Sequence, residues 1–336
     1  MRRVRTIVRG TLWKSIAVTL CFAAPPTAAA QEGPRPWTFE EDNDALAVWL
    51  PSRHRTDDNY TQGMRVTVGV NPPAWTGAHL LSHAPLCTLG GDPDARCRSA
   101  VLSVGQEIYT PTSRADPPPL DDRPYAAWLH AGLAHQVSTT RERRTLGIEL
   151  GVTGPPAFGE EVQNVFHKIA DVGPQRPAWD HQISFQPGVV ARYGSEYFVH
   201  AATHSLGDIV QLIPRWNVAV GNVLNAVTAG VGVRLGYRLE HPWRASGQHG
   251  TAWNVYLLGD AEGRWVVTNV FLDGTNFAHD PHVDKLPFTG QYMLGLGLRI
   301  RSFALELRGV TQGKEFEGGP RVHRYGTIAL GFHILY

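Results

Sequence analysis

The chain predicts an all-β fold, a transmembrane antiparallel β-barrel of about twelve strands with one short rim helix. Three observations predict it. The last ten residues alternate, with Ile328, Leu330, Phe332, Ile334 and Tyr336 on one face and Thr327, Ala329, Gly331, His333 and Leu335 between them. That period of two gives a strand with one fully apolar face, and it ends on an aromatic, the pattern that outer-membrane proteins present to their assembly machinery. The same alternation recurs upstream. Finally, the N-terminus reads as a secretory signal: Arg2, Arg3, Arg5, Arg9 and Lys14 precede the apolar run 15–24, and Ala28-Ala29-Ala30 supplies small residues, with cleavage expected before Gln31. The expected organisation is therefore a signal peptide at 1–30 and one outer-membrane barrel domain at 31–336.

Upstream, Tyr292, Leu294, Leu296, Leu298 and Ile300 share a face opposite Met293, Gly295, Gly297 and Arg299. After a tight turn the phase flips to Phe303, Leu305 and Leu307, opposite Glu306 and Arg308. Val227, Val231, Val233, Leu235, Tyr237 and Leu239 oppose Thr228, Gly230, Gly232, Arg234, Gly236 and Arg238. An apolar outside with Gly, Arg and Glu inside suits a bilayer-spanning barrel, because lipid cannot hydrate polar groups. A soluble sandwich also alternates, but with less glycine on its polar face.

Composition agrees: Gly 35, Trp 10 and Tyr 10 against Met 3 mark a turn-rich, aromatic β protein. No stretch after residue 30 offers the 18 consecutive apolar residues of a membrane helix. Without the signal, 26 basic residues stand against 30 acidic ones, a formal net charge of −4, which argues against nucleic acid as the main partner. Cys21 leaves with the signal, so in an oxidising compartment Cys87 and Cys97 are expected to staple a loop as a disulfide.

Strand-like segments fall near 37–46, 61–70, 99–109, 124–137, 143–154, 181–193, 196–206, 214–222, 226–240, 251–270, 289–300, 301–311 and 325–336. Merging 196–222 into one strand brings the count to an even twelve. Long loops remain at 71–98, 110–123, 155–180 and 273–287, expected on the extracellular side, where a site would be built.

The loop 155–180 holds the one helical segment, 158–170, behind Gly154-Pro155-Pro156. Val162, Val165, Phe166 and Ile169 share one face; Glu160, Gln163, Asn164 and His167 share the other. Two readings stay open. Either the helix docks by its apolar face with the polar face in water, or His167 acts as a general base with carboxamides beside it. Glu40-Glu41-Asp42-Asn43-Asp44, the most acidic run in the chain, reads from composition as a solvated loop.

Taken together, the motifs resemble one family. Glu41-Asp42-Asn43-Asp44, Asp57-Asp58-Asn59-Tyr60-Thr61-Gln62-Gly63, Gly105-Gln106-Glu107-Ile108-Tyr109-Thr110-Pro111 and Asp122-Arg123-Pro124-Tyr125-Ala126-Ala127-Trp128 are similar to the LpxR lipid A 3′-O-deacylases. So are Gly151-Val152-Thr153-Gly154-Pro155-Pro156, the run Glu161-Val162-Gln163-Asn164 with His167, and Pro177-Ala178-Trp179-Asp180-His181-Gln182. The motifs keep their order from about 37 to 185; beyond that the chain matches only as barrel strands.

The resemblance implies a twelve-stranded outer-membrane barrel of a Gram-negative cell with its site near the extracellular rim. It implies a calcium-dependent esterase that removes the 3′-acyloxyacyl group of lipid A, so that lipopolysaccharide is the expected partner, and a monomer is expected. Carried over by motif, Asn43, Asp44, Thr61, Gln163 and His167 are the expected site residues, with Asp44 a ligand of Ca²⁺. His167 would deprotonate a water, and a hard cation would polarise the ester carbonyl. The chain departs from the pattern in two places. Lys168 to Pro174 lacks the Glu that the family can place past the histidine, with Asp171 the nearest acid. In the loop after Tyr109-Thr110-Pro111, Arg114 is the only base, although basic residues suit a phosphorylated glycolipid.

Two rivals stand beside this reading. A phospholipase-like serine esterase would use His204-Ser205 with Asp208, although adjacent strand residues face opposite ways. A non-enzymatic barrel or porin would conduct ions. Trp37, Trp128, Trp179 and Trp253 read as belt or packing aromatics, and His279, Asp280, His282 and Asp284 as a solvated turn.

Overall fold

Hairpin follows hairpin until the chain meets its own start. The computed structural model describes residues 35–46, 58–72, 84–87, 96–170, 178–204, 207–239, 241–243 and 253–334. The signal segment 1–30, Ser205 and Asp171 lie outside them, as does the terminal Tyr336. The strand segments are β1 (Arg35–Asn43), β2 (Asn59–Val70), β3 (Cys97–Thr110), β4 (Ala126–Ser138), β5 (Glu142–Thr153), β6 (Gln186–Tyr197) and β7 (Val199–His204). They continue with β8 (Gly207–Gly221), β9 (Leu224–Leu239), β10 (Trp253–Asn269), β11 (Phe288–Ile300), β12 (Phe303–Gly313) and β13 (Val322–Ile334). Among the described residues two α-helices, α1 (Gly159–Ala170) and the one-turn α2 (Val270–Asp273), sit in loops.

All pairings in the sheet are antiparallel; β1 pairs with β13, and β6 with β8. The sheet therefore closes on itself and has no free edge, which is what lipid demands of a strand-built span. Both β6 and β7 pair with β8 and are parted only at Phe198, whose N–H turns to the carbonyl of Arg141. They form one broken strand, so the ring has twelve. The strand count is as expected, but the merging of 196–222 is corrected: the break lies within the sixth strand, and β8 is a strand of its own. The antiparallel pairing of 199–204 with 207–212 makes them two strands rather than one.

The alternation falls as the sequence predicts. Tyr292, Leu294, Leu296, Leu307, Val227, Val231, Leu235 and Tyr237 are exposed on the outer face. On β10, Trp253 and Trp265 both point outward and lie twelve residues apart. At about 3.3 Å per residue and a tilt of about 40°, that separates the two indoles by about 30 Å along the axis, the thickness of a bilayer core. No helix among the described residues is long and apolar enough to cross a membrane.

The lumen is filled rather than open. Arg215 pairs with Asp260 and with Glu262 (2.8 Å), Arg308 with Glu306 (2.5 Å) and Glu40 (2.8 Å), and Arg192 with Glu149 (3.0 Å). Tyr256 donates to Glu306 (2.7 Å) and lies under the guanidinium of Arg234. Toward the end where α2 lies, an aromatic chain crosses the lumen. Phe271 of α2 stacks on Tyr109 (4.6 Å), Tyr109 meets Tyr60 (5.5 Å), and Tyr60 meets Tyr325 (5.0 Å). Because β3 and β10 stand six strands apart either way round the ring, the Phe271–Tyr109 contact spans the barrel's bore.

Strand direction sorts the loops. Those after β1, β3, β5, β10 and β12 emerge at one end, whereas 71–96 emerges at the other, beside the start of β1 and the end of β13. The expectation that all four long loops share one side is corrected for 71–98. An antiparallel meander alternates ends strictly, whatever the loop length. The Cys87–Cys97 disulfide forms as expected (Cα–Cα 4.7 Å) and ties that loop to the first residue of β3.

Candidate functional site

The site region begins where β1 ends. Asn43 folds its side chain back so that Oδ1 accepts the Ala45 N–H (2.8 Å), starting the 3-10 turn Asp44–Leu46. Asp44 Oδ2 accepts the Asp58 N–H (2.9 Å), tying together the two ends of the β1–β2 loop. Asn59 then takes a left-handed backbone (φ 63°), a conformation asparagine tolerates better than most residues. Its amide donates to Asp58 Oδ1 (2.9 Å).

A bulge follows. The β2–β3 register shifts between Tyr60 and Gln62, which leaves Thr61 as the extra residue. Tyr60 points into the lumen, onto Tyr109 and Tyr325, while Thr61 joins Thr110 hydroxyl to hydroxyl (2.6 Å). Outward, Glu41 accepts from Gln62 Nε2 (3.1 Å). The acidic run is thus divided by its strand: Glu40 and Asp42 serve the lumen, bonded to Arg308 and to Thr327 and Tyr60. Asn43 lies on the face of Glu41, and Asp44, just past the strand, is buried with it. The reading of this run as a solvated loop is corrected.

Along the outer row of β3, exposure collapses. Leu102 and Val104 are 43% and 57% exposed, but Gln106, Ile108 and Thr110, on the same face, are 7%, 0% and 0%. What covers them is the loop after β5. Gln106 Nε2 donates to the Ala157 carbonyl (2.6 Å), and Val162 packs against Ile108, Tyr125, Ala178 and Trp179. Gly159 is required here: a Cβ would lie 2.7 Å from that of Ala127 and 2.6 Å from the Trp179 ring. Helix α1 therefore rests on the outer wall of β3 and β4.

The helix lies against that wall with a mixed face, turning Gly159, Val162, Gln163 and His167 inward. Gln163 and His167 are 1% and 4% exposed, while Val165 is 54% exposed. Neither face docks whole: Val162 packs on the wall beside the buried Gln163 and His167, while Glu160 and Val165 are exposed. Trp179 fixes the arrangement: its indole N–H donates to Gln163 Oε1 (2.9 Å), and its ring tilts against Tyr125 (4.9 Å). Asn43, Asp44 and Thr61 thus approach the outer face of β3 from the β2 side, and Gln163 and His167 from above it.

Sequence reasoning read Trp179 as a belt or packing aromatic and did not anticipate its hydrogen bond; Trp128 does pack in the core, and Trp253 is exposed in the belt position. His323 was missed. Its Nε2 donates to the Tyr60 carbonyl (3.0 Å) and its Nδ1 stands 3.9 Å from Asp58 Oδ1, behind the residue that holds Asp44. No motif in β13 marks it. Asp58 was on view in the quoted Asp57-Asp58-Asn59 motif.

In the 273–287 loop His279, His282 and Asp284 are exposed, as a solvated turn requires, and Asp280 alone is tied down. Asp280 accepts from Ser184 Oγ (2.5 Å) and from Thr275 N–H (2.9 Å) and Oγ1 (2.5 Å). Burial pushes its carboxyl up, but these hydrogen bonds outweigh it and hold it below the usual carboxylate range. Among the described residues no three His, Cys, Asp or Glu side chains are grouped to hold a metal.

Comparison with known proteins places this geometry. The family model described as "Outer membrane protein LpxR" matches residues 15–334. Among solved structures, LpxR from Salmonella typhimurium aligns with a TM-score of 0.69 at 21% identity, covering 89% of this chain and 100% of that one. At that identity the likeness speaks for the fold. The translocator domain of the autotransporter NalP from Neisseria meningitidis (TM-score 0.43, 10% identity, 91% of this chain and 90% of that one) shares only strand-barrel architecture. Comparison with curated proteins gives no match.

Proposed function

Because the chain belongs to the LpxR family of outer-membrane proteins, we propose that it is an esterase of the outer membrane that removes the 3′-acyloxyacyl group of lipid A. The observation that carries this reading is the burial of Gln163 and His167 on the rim helix. A rim helix that hides Gln163 and His167 against the barrel's outer wall and turns Val165 outward suits a lipid-side surface. A site on the outer wall is open to an acyl chain moving in the leaflet, whereas a site in the filled lumen is not.

In this reading His167 takes the proton of a water as that water attacks the ester carbonyl. The tetrahedral adduct collapses, the bond to the 3′ oxygen of the glucosamine breaks, and the proton passes to that oxygen. Gln163, held by Trp179, orients the water or the substrate carbonyl. Asn43 and Thr61 shape the opposite wall. Ca²⁺ is the cation proposed for Asp44: a hard ion takes carboxylate, carboxamide and backbone oxygens together, and when bound it would stabilise the developing oxyanion. Asp44, Asn43 and Asp58, gathered at one strand end, are donors of that kind.

The test is mass spectrometry of lipid A from cells making the protein, with calcium and with a chelator. Loss of the 3′-acyloxyacyl group only when calcium is present supports the reading. Unchanged acylation in both, with a correctly inserted barrel, refutes it.

A further inference from the structure

The outer wall carries a second concavity, at the end away from α1 and α2. A cavity of about 100 Å³ is bounded there by Arg96, His135, Val137, Glu142, Arg144 and Tyr193. Register places it on the outer face. His135, Leu146 and Tyr193 form one cross-strand row, and Arg98, Val137 and Arg144 the next. Leu146, Ile148 and Leu150 continue along the same face toward the middle of the barrel, all exposed. The cavity therefore opens where the apolar band ends, beside the short turn at 139–141. In barrels of this class the short turns face the periplasm, so the bordering leaflet is the periplasmic one.

Its charge is one-sided. Arg96 and Arg144 line it with one carboxylate, Glu142, which accepts from Arg144 Nε (2.9 Å) and Ser195 Oγ (3.3 Å). The Arg98 Nε donates to the Ala84 carbonyl (2.9 Å), which pins that side chain at the rim. Both ring nitrogens of His135 are enclosed without a hydrogen-bond partner among the described residues, and buried polar atoms normally have one. Two arginines, an unsatisfied imidazole and a tyrosine round a small cavity, with Arg98 on the adjoining row, suit a tetrahedral anion with several acceptor oxygens.

We propose that this cavity binds the phosphate of a glycerophospholipid of the periplasmic leaflet. Arg96 and Arg144 hold the phosphate oxygens, His135 donates to one of them, and the acyl chains run along Leu146 and Ile148. The adjoining apolar wall selects a lipid over a free anion. The proposal stands whether or not the ester-cleaving reading does.

The experiment uses the full-length folded barrel in neutral detergent micelles, titrated with phosphatidylglycerol and read by native mass spectrometry. The wild type is expected to retain one phosphatidylglycerol, to retain no diacylglycerol of the same chains, and to keep its lipid under excess inorganic phosphate. Arg96→Gln with Arg144→Gln should weaken retention about tenfold or more, as loss of charge-assisted bonds does. His135→Ala, which leaves the arginines in place, should weaken it less. Heat-modifiable gel mobility confirms that each variant is folded, and Arg144→Gln alone serves if the double variant is not. Equal retention by folded arginine variants overturns the proposal. So does equal retention of diacylglycerol, and so does displacement by inorganic phosphate.

Discussion

The indole N–H of Trp179 donates to Oε1 of Gln163 at 2.9 Å, across the seam between the loop after α1 and the helix itself. This bond holds the carboxamide face of α1 against the barrel. Trp179→Phe keeps most of the packing and removes the donor. The expected cost is about 1 kcal/mol of local stability and about a tenfold fall in lipid A deacylation, from a misoriented Gln163. Deacylation rates of both proteins in detergent, with urea melts, check it; an unchanged rate shows that the bond only packs.

Gly159 tests the helix's seat. A methyl there meets Ala127 and the Trp179 ring at under 3 Å, so Gly159→Val should lift α1 from the wall. Activity should be lost with the barrel's heat-modifiable mobility retained, since the substituted residue lies in a loop helix and not in a strand. A fully active valine variant would show that contact between helix and wall is dispensable.

Asp44 and Glu41 are the two carboxylates on the outer side of the acidic run, and substitution tells them apart. Asp44→Asn should raise the calcium needed for activity by at least about tenfold, as removal of a carboxylate from a hard-cation site does. Glu41→Gln should leave that requirement nearly unchanged, since its carboxylate is engaged by Gln62. Activity titrated against free calcium reads both; the reverse outcome would assign the cation to Glu41.

Phe271 stacked on Tyr109 across the bore, with the lumenal ion pairs beneath it, predicts a closed barrel. Planar-bilayer recordings of the wild type should show no steady ion conductance. A stable open level of porin size would favour the conducting alternative.

Asp280 gives a pH dependence. Its carboxyl is held below the usual range by Ser184 and Thr275. Its contribution is therefore fully present above the ordinary aspartate value of about 3.9 and is lost as pH falls through the lower folded value. Hydrogen exchange of 270–287 should rise in that acid window in the wild type. In Asp280→Asn it should already be raised at neutral pH and change less with acid.

Strand number, outward faces and the staple at Cys87 were legible because each depends on local periodicity or on a pair of residue types. The outer row of β11 and β12 could be named residue by residue. The separation of 196–204 from 207–221 could not, because a continuous run and a hairpin have the same alternation until pairing partners are known. The helix was legible as a helix, with its orientation left open. A helical wheel shows two faces but not which one meets the barrel, and the usual assumption that apolar means buried fails where the surroundings are lipid.

By itself, then, the sequence determined a closed twelve-stranded barrel of the outer membrane, and its motifs pointed to Asn43, Asp44, Thr61, Gln163 and His167. Tertiary structure alone decided that Asp42 and Asp44, two positions apart, serve the lumen and the outer site respectively. It alone turned Gln163 and His167 toward the wall, brought Trp179 and His323 behind the site, and filled the bore from strands six places apart. The physical reason is the same in each case. Periodicity is written along the chain, but burial is set by what closes over a face, and here that is a helix from one loop and an aromatic from another.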